Sequence, residues 1–150
     1  MIIYRLVNSQ YKDDISGYGS FLYGGRWNPK GMNALYGAEH ISLAVLEIMV
    51  NYNSAMYKVR PRYHLIELEL PDQSIVKIRE NSLKRKWTED MEYSQFMGEQ
   101  FLQQKTHLTL IMPSAVIPEE NNIMVNPQHP DFNQVKIRNT RPYGFDSRLF

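Results

Sequence analysis

The chain has 150 residues, the size of a single domain, and its 43% hydrophobic and 22% charged residues suit a packed core and argue against a disordered chain. The absence of cysteine excludes disulfides, thiolate catalysis and zinc sites built on sulfur, and 17 Lys and Arg against 16 Asp and Glu leave no basic excess to drive DNA or RNA binding. The longest apolar run, Ile41 to Val50, is half the roughly 20 residues that span a bilayer and contains Glu47, so no membrane span is expected.

The opening MIIYRLVNSQYKDD has no basic start, apolar core and small-residue cleavage site, so a cytoplasmic protein is expected. Ile2 to Val7 reads as a strand, followed by an irregular polar stretch to Ser20. Phe21 to Gly31, FLYGGRWNPKG, combines aromatics, glycines and a proline into a turn-rich segment whose backbone can approach a ligand. Ala34 to Tyr36 reads as a short strand and His40 to Asn51 as a helix. On a wheel of about 100° per residue, Ile41, Val45, Leu46, Ile48 and Met49 make its apolar face, with Glu47 almost opposite, where a solvent-facing glutamate would ordinarily sit.

Tyr63 to Leu70 and Ser74 to Ile78 read as strands separated by a Pro71-Asp72 turn. Glu89 to Gln104 reads as a helix, and Gly98 inside it points to close packing against a neighbour. Leu108 to Met112 is a compact apolar strand, after which Ser114 and an extended Val116-Ile117-Pro118 follow. Ile123 to Val125 is a short apolar piece, and Val135 to Arg138 is the last strand. Strands outnumber helices without regular interleaving, which favours an α+β fold with a mixed or antiparallel sheet over a doubly wound one.

The segment GGRWNPKG is the most informative, because paired glycines allow a sharp turn while the Arg26 guanidinium can grip a carboxylate or phosphate. By itself it is weak evidence, since Gly-Gly-Arg more often serves an ordinary structural turn. Taken with YR at Tyr4-Arg5, SGYGS at Ser16 to Ser20, LYGAEHISLAVLE at Leu35 to Glu47, PSAVIPEENNIMVNPQHPDF at Pro113 to Phe132 and PYGFDSRL at Pro142 to Leu149, it resembles the RES family. Gly37 is a mild departure, at a position where threonine or another small residue is expected.

The resemblance implies one RES domain over residues 1–150, a fold similar to ADP-ribosyltransferase toxins, NAD as substrate and an Xre-type antitoxin as partner. It implies a toxin of a type II toxin–antitoxin system that cleaves the nicotinamide–ribose bond, with water or inorganic phosphate as acceptor. Protein ADP-ribosylation and a non-catalytic interaction module are the alternatives, and a homodimer stays open. The family's catalytic set falls on Arg26, Tyr36, Glu47 and Ser114, with Arg26, Trp27, Tyr36 and Asn126 toward NAD.

The chemistry is coherent, because cleavage builds positive charge on the ribose while nicotinamide leaves neutral, so one carboxylate suffices without a second acting as acid. Other candidates read as structural. His40, His64, His107 and His129 are scattered, and His129 with Asp131 suits turn chemistry better than a metal, so no metal is expected. Glu67 and Glu69 form the polar face of a strand, and Lys84 to Lys86 reads as a solvated cluster. For an interaction module the exposed aromatics would be Tyr52, Tyr57 and Tyr143.

Overall fold

The computed structural model describes residues 1–52 and 60–149, so Tyr57 lies outside the described residues. Seven strands form one sheet in the order β4-β5-β6-β2-β1-β3-β7. They are β1 (Ile2–Asn8), β2 (Leu35–Ala38), β3 (Tyr63–Glu69), β4 (Ile75–Lys77), β5 (Thr109–Pro113), β6 (Asn121–Val125) and β7 (Lys136–Tyr143). Every neighbouring pair is antiparallel except β4 with β5, and three α-helices among the described residues complete the α+β fold expected from the sequence. These helices are α1 (Tyr18–Tyr23), α2 (Ile41–Asn51) and α3 (Met91–Gln104).

Strand alternation divides the core. Ile3, Val7, Leu35, Ile123 and Val125 pack together with Val135 and Phe132. The residues one step along the same strands, including Met124 and Leu6, pack into two other clusters. Phe101 and Leu102 of α3 join Trp27, Trp87, Leu110, Met112 and Met124 in one. Leu43 and Ala44 of α2 join Leu6, Ala38, Tyr63 and Leu65 in the other. Two helices on a sheet with a gap between their cores make a cleft over the middle strands.

Several sequence expectations need correction. The polar stretch before Ser20 is irregular from Lys12 to Gly17, as expected, but its end and the start of the glycine-rich segment are not, since Tyr18–Tyr23 forms a short helix entered from Gly17 and left at Gly24, both in positive-φ conformations. Val116 to Pro118 is a turn and not an extended continuation of β5, because the Ser114 hydroxyl accepts the N–H groups of Val116 (3.0 Å) and Ile117 (3.2 Å) and folds the chain back. β7 runs on to Tyr143, because it pairs along the whole of β3. Tyr52 and Tyr143 are half-buried, not exposed.

The wheel also misjudged α2. Leu43 and Ala44 are its buried residues, and Glu47 stands one turn beyond them on that same side. The helix is apolar nearly all round, so the densest apolar stripe did not identify the side turned to the sheet.

Candidate functional site

A cleft of about 900 Å³ opens between α2 and the α3 region, within the range of small-molecule and cofactor sites. Tyr4, Arg5 and Leu6 of β1, Tyr36, Gly37 and Ala38 of β2, Ala44, Glu47 and Ile48 of α2, and Asn122 of β6 contribute to its lining. Gly24 to Trp27 and Gln95 complete the α3 side.

The GGRWNPKG segment is built around Asn28, which is fully buried. Its carboxamide nitrogen donates to the carbonyls of Ser20, Pro29 and Met32 at 3.0–3.2 Å, and its oxygen accepts the Tyr36 hydroxyl at 2.6 Å. Gly25 and Asn28 pair across a tight turn. A Cβ on Gly25 would lie 2.8 Å from Asn28 Oδ1 and 3.0 Å from the Tyr36 hydroxyl, so only glycine fits. From α3, Ser94 donates to the carbonyl of Arg26 (2.6 Å) and Gln95 to that of Gly25 (2.8 Å).

This framework holds the Arg26 side chain at the cleft wall. Its Nη1 donates to the carbonyl of Thr88 (3.0 Å), and among the described residues no carboxylate pairs with it. Trp27 is 2% exposed, with its indole centroid 5.5 Å from that of Trp87, so this side chain serves mainly as packed wall. Tyr36 lines the cleft with its hydroxyl proton committed to Asn28 and an oxygen lone pair to the Trp27 N–H (3.3 Å), leaving chiefly the ring for a ligand. Burial pushes its phenol far above the ordinary tyrosine value, with the Trp27 N–H partly opposing.

Across the cleft, Glu47 Oε1 accepts two hydrogen bonds, from the Ser114 hydroxyl at 2.8 Å and from Asn122 Nδ2 at 2.6 Å. Among the described residues Oε2 has no hydrogen-bond partner. Ser114, fully buried at the end of β5, stands behind Glu47 and reaches the cleft through it. Arg26, Tyr36 and Glu47 therefore share one cleft and Ser114 joins them through Glu47, whereas Asn126 does not. Its carboxamide donates to the carbonyl of Leu102 (3.0 Å) and accepts the N–H of Gln128 (3.0 Å), outside the cleft lining.

Two lining residues escaped the sequence reading of the site. Asn122 is one, hidden among three asparagines within six residues. The other is Arg5, whose Nη1 donates to the carbonyl of Tyr36 (3.2 Å) and whose Nε is buried without a partner. β1 and β2 pair only at Tyr4 and Ala38, and this sparse pairing leaves the Tyr36 carbonyl to the guanidinium. Burial pulls Arg5 below the ordinary arginine value, with Asp14 partly restoring it, yet an arginine keeps its charge. A Tyr-Arg pair inside an apolar strand was the available signal.

His129 Nδ1 accepts the N–H of Asp131 (3.0 Å) as a helix cap, as expected of turn chemistry. Among the described residues, Glu39, His40 and Glu120 each bring one potential ligand atom within 4.8 Å of the others. The Glu39 carboxylate in that group already accepts the backbone and side-chain N–H groups of Asn121.

Comparison with known proteins agrees with the sequence resemblance. A family model described as RES domain matches residues 2–146. The protein named Toxin Res of Yersinia enterocolitica is 34% identical, with 99% of each chain covered. The Prs ADP-ribosylating toxin of Sphingobium sp. is 35% identical over 91% of this chain and 87% of its own. The crystal structure of the M. tuberculosis MbcT–MbcA toxin–antitoxin complex contains a chain with a TM-score of 0.79 at 18% identity, covering 95% of this chain and 83% of that one, a likeness of fold. With the motifs in order along the chain, the cleft they form and these relatives, the chain belongs to the RES-domain toxin family.

Proposed function

We propose that this single-domain protein is the toxin of a cytoplasmic type II toxin–antitoxin pair and that it cleaves the nicotinamide–ribose bond of NAD. The reading rests above all on one arrangement: a carboxylate with one oxygen pinned and the other without a hydrogen-bond partner among the described residues faces a cleft that also holds two guanidinium groups, neither of them in a salt bridge with a described carboxylate. Arg26 and Arg5 suit the pyrophosphate. Glu47 suits the ribose next to the breaking bond.

In the reaction the C1′–N bond breaks and its electron pair leaves with nicotinamide, which becomes neutral. The positive charge moves to the ribose, where Glu47 Oε2 stabilises it. Water then attacks C1′, giving ADP-ribose and a proton, while inorganic phosphate in its place would give the 1-phosphate ester. The cleft excludes part of the solvent, which strengthens the carboxylate's field at the developing cation. The Tyr36 ring and the packed Trp27 wall supply apolar surface for the nucleotide.

Purified protein should release nicotinamide from NAD without a protein acceptor, and phosphate dependence would identify the co-substrate. Glu47→Gln and Arg26→Ala should each lower kcat/KM by at least about 100-fold, equivalent to about 2.7 kcal/mol of transition-state stabilisation, with unfolding midpoints preserved. Unchanged turnover in both variants refutes the site. Protein ADP-ribosylation draws support from the name of the Sphingobium relative and uses the same bond cleavage with a side-chain acceptor. In that case label from NAD appears on a target protein and NAD survives without one. The toxin–antitoxin complex among the fold relatives supports an antitoxin partner, for which an Xre-type protein is our expectation.

A further inference from the structure

We propose that Asn122 is a positioning residue of this site, which together with Ser114 fixes Glu47 Oε1 so that Oε2 alone is presented to the ribose. The inference rests on the reading of the cleft as NAD-cleaving and adds to it a residue that acts through Glu47.

Asn122 lies on β6. Asn122 has the same strand parity as Met124, which belongs to the core beneath α3, while Ile123 and Val125 belong to the other core. In register it stands between Ala38 of β2 and Met112 of β5, so its side chain rises beside two apolar neighbours at the cleft floor. There its carboxamide nitrogen, a donor only, lies 2.6 Å from Glu47 Oε1. The preceding Asn121 has a different task, donating to Glu39, and Asn126 braces the end of α3 through Leu102.

Ser114 is constrained to the same role. Its oxygen accepts two backbone N–H groups, so the hydroxyl proton goes to Glu47. Two donors on one oxygen stop the broad rotation about its last torsion. They also occupy Oε1 and leave Oε2 as the oxygen free to face a cation. A carboxylate held by only one donor could swing and present either oxygen, losing the fixed orientation on which electrostatic preorganisation depends.

The test compares nicotinamide release by the wild type, Asn122→Ala, the near-isosteric Asn122→Asp, Ser114→Ala and the Asn122→Ala/Ser114→Ala double variant, with folding followed by thermal unfolding. Asn122→Ala should lower kcat by about 10- to 100-fold, the loss of one charge-assisted hydrogen bond, with KM for NAD within about 3-fold. Asn122→Asp, which also sets a second carboxylate against Glu47, should lose more than Asn122→Ala. The double variant should lose less than the product of the single losses, because both donors act on one oxygen. A kcat within about 2-fold of wild type, a loss confined to KM, or a fully multiplicative double variant overturns the proposal.

If the wild type releases no nicotinamide, the NAD reading fails, and the positioning claim is judged by proton–nitrogen NMR of the Asn122 carboxamide, assigned by its absence in Asn122→Asp. One of its protons should resonate downfield and move on Glu47→Gln. A carboxamide signal indifferent to Glu47 overturns the inference.

Discussion

Replacing Gly98 by alanine sets two physical effects of opposite sign against each other. Gly98 lies inside α3, where helix propensity alone favours alanine by about 1 kcal/mol. A Cβ at that position would lie 1.6 Å from the Trp27 carbonyl oxygen and 2.6 Å from its carbon, although real Cβ contacts essentially never fall under 3.0 Å. Both clashing atoms belong to backbone, so no rotamer change relieves them and the helix or the loop must move by more than an ångström. Overpacking of this kind costs about 3 kcal/mol, at the upper end of the usual range, because nothing flexible can give way. The same movement strains the bonds from Ser94 to the Arg26 carbonyl and from Gln95 to the Gly25 carbonyl, about 1 kcal/mol more.

After the propensity gain, the net loss is about 3 kcal/mol, or roughly 6–12 °C in the unfolding midpoint of a chain this size. Urea unfolding and calorimetry measure it directly. Gly19→Ala is the control, because Gly19 is an exposed residue of α1 with nothing within 4 Å of its added Cβ. Propensity alone should make that variant more stable by about 0.5–1 kcal/mol. A Gly98→Ala protein as stable as wild type or more so would refute the packing argument. Because Trp27 moves with Arg26, nicotinamide release should fall in Gly98→Ala and not in Gly19→Ala.

Two more substitutions test the framework behind the cleft. Tyr36→Phe removes the hydroxyl that joins Asn28 Oδ1 to the Trp27 N–H, at a cost of about 1–3 kcal/mol by urea unfolding at neutral pH. Burial raises the folded-state value of this phenol above its unfolded value of 10.0, so the stability it contributes is complete below pH 10 and declines as pH rises further. The gap between wild type and Tyr36→Phe should therefore narrow above pH 10, and a constant gap would contradict the buried phenol. Asn28→Asp places an oxygen against three carbonyls at 3.0–3.2 Å. It should cost about 3 kcal/mol or more and recover part of the loss as acid protonates the introduced carboxyl, whereas a loss independent of pH would refute the account.

Much of the fold was legible because it depends on local pattern. β1, β3 and the cores of α2 and α3 lie where apolar periodicity and turn residues place them. Element ends were less legible, since β7 owes its length to pairing with β3 and the turn after β5 depends on what the Ser114 hydroxyl caps. The site was legible as a set of residue types in order along the chain. Asn126 shows the limit of that reading: its asparagine chemistry suits a ligand equally well, but its partners are the Leu102 carbonyl and the Gln128 N–H.

Glu47 separates most clearly what each level determines. The sequence by itself established an acidic residue in an apolar helix, an arginine after paired glycines and a serine after an apolar strand, which are properties of residue type and order. It could not orient α2, because a helix that is apolar nearly all round can bury more than one face. The sheet decided that orientation by packing Leu43 and Ala44 onto β1 and β2 with β3 behind, which brings Glu47 to Ser114 and Asn122. Those two donors lie 67 and 75 residues from it in sequence. A side-chain hydrogen bond across such a separation follows from strand order and register, and no pattern within α2 encodes it.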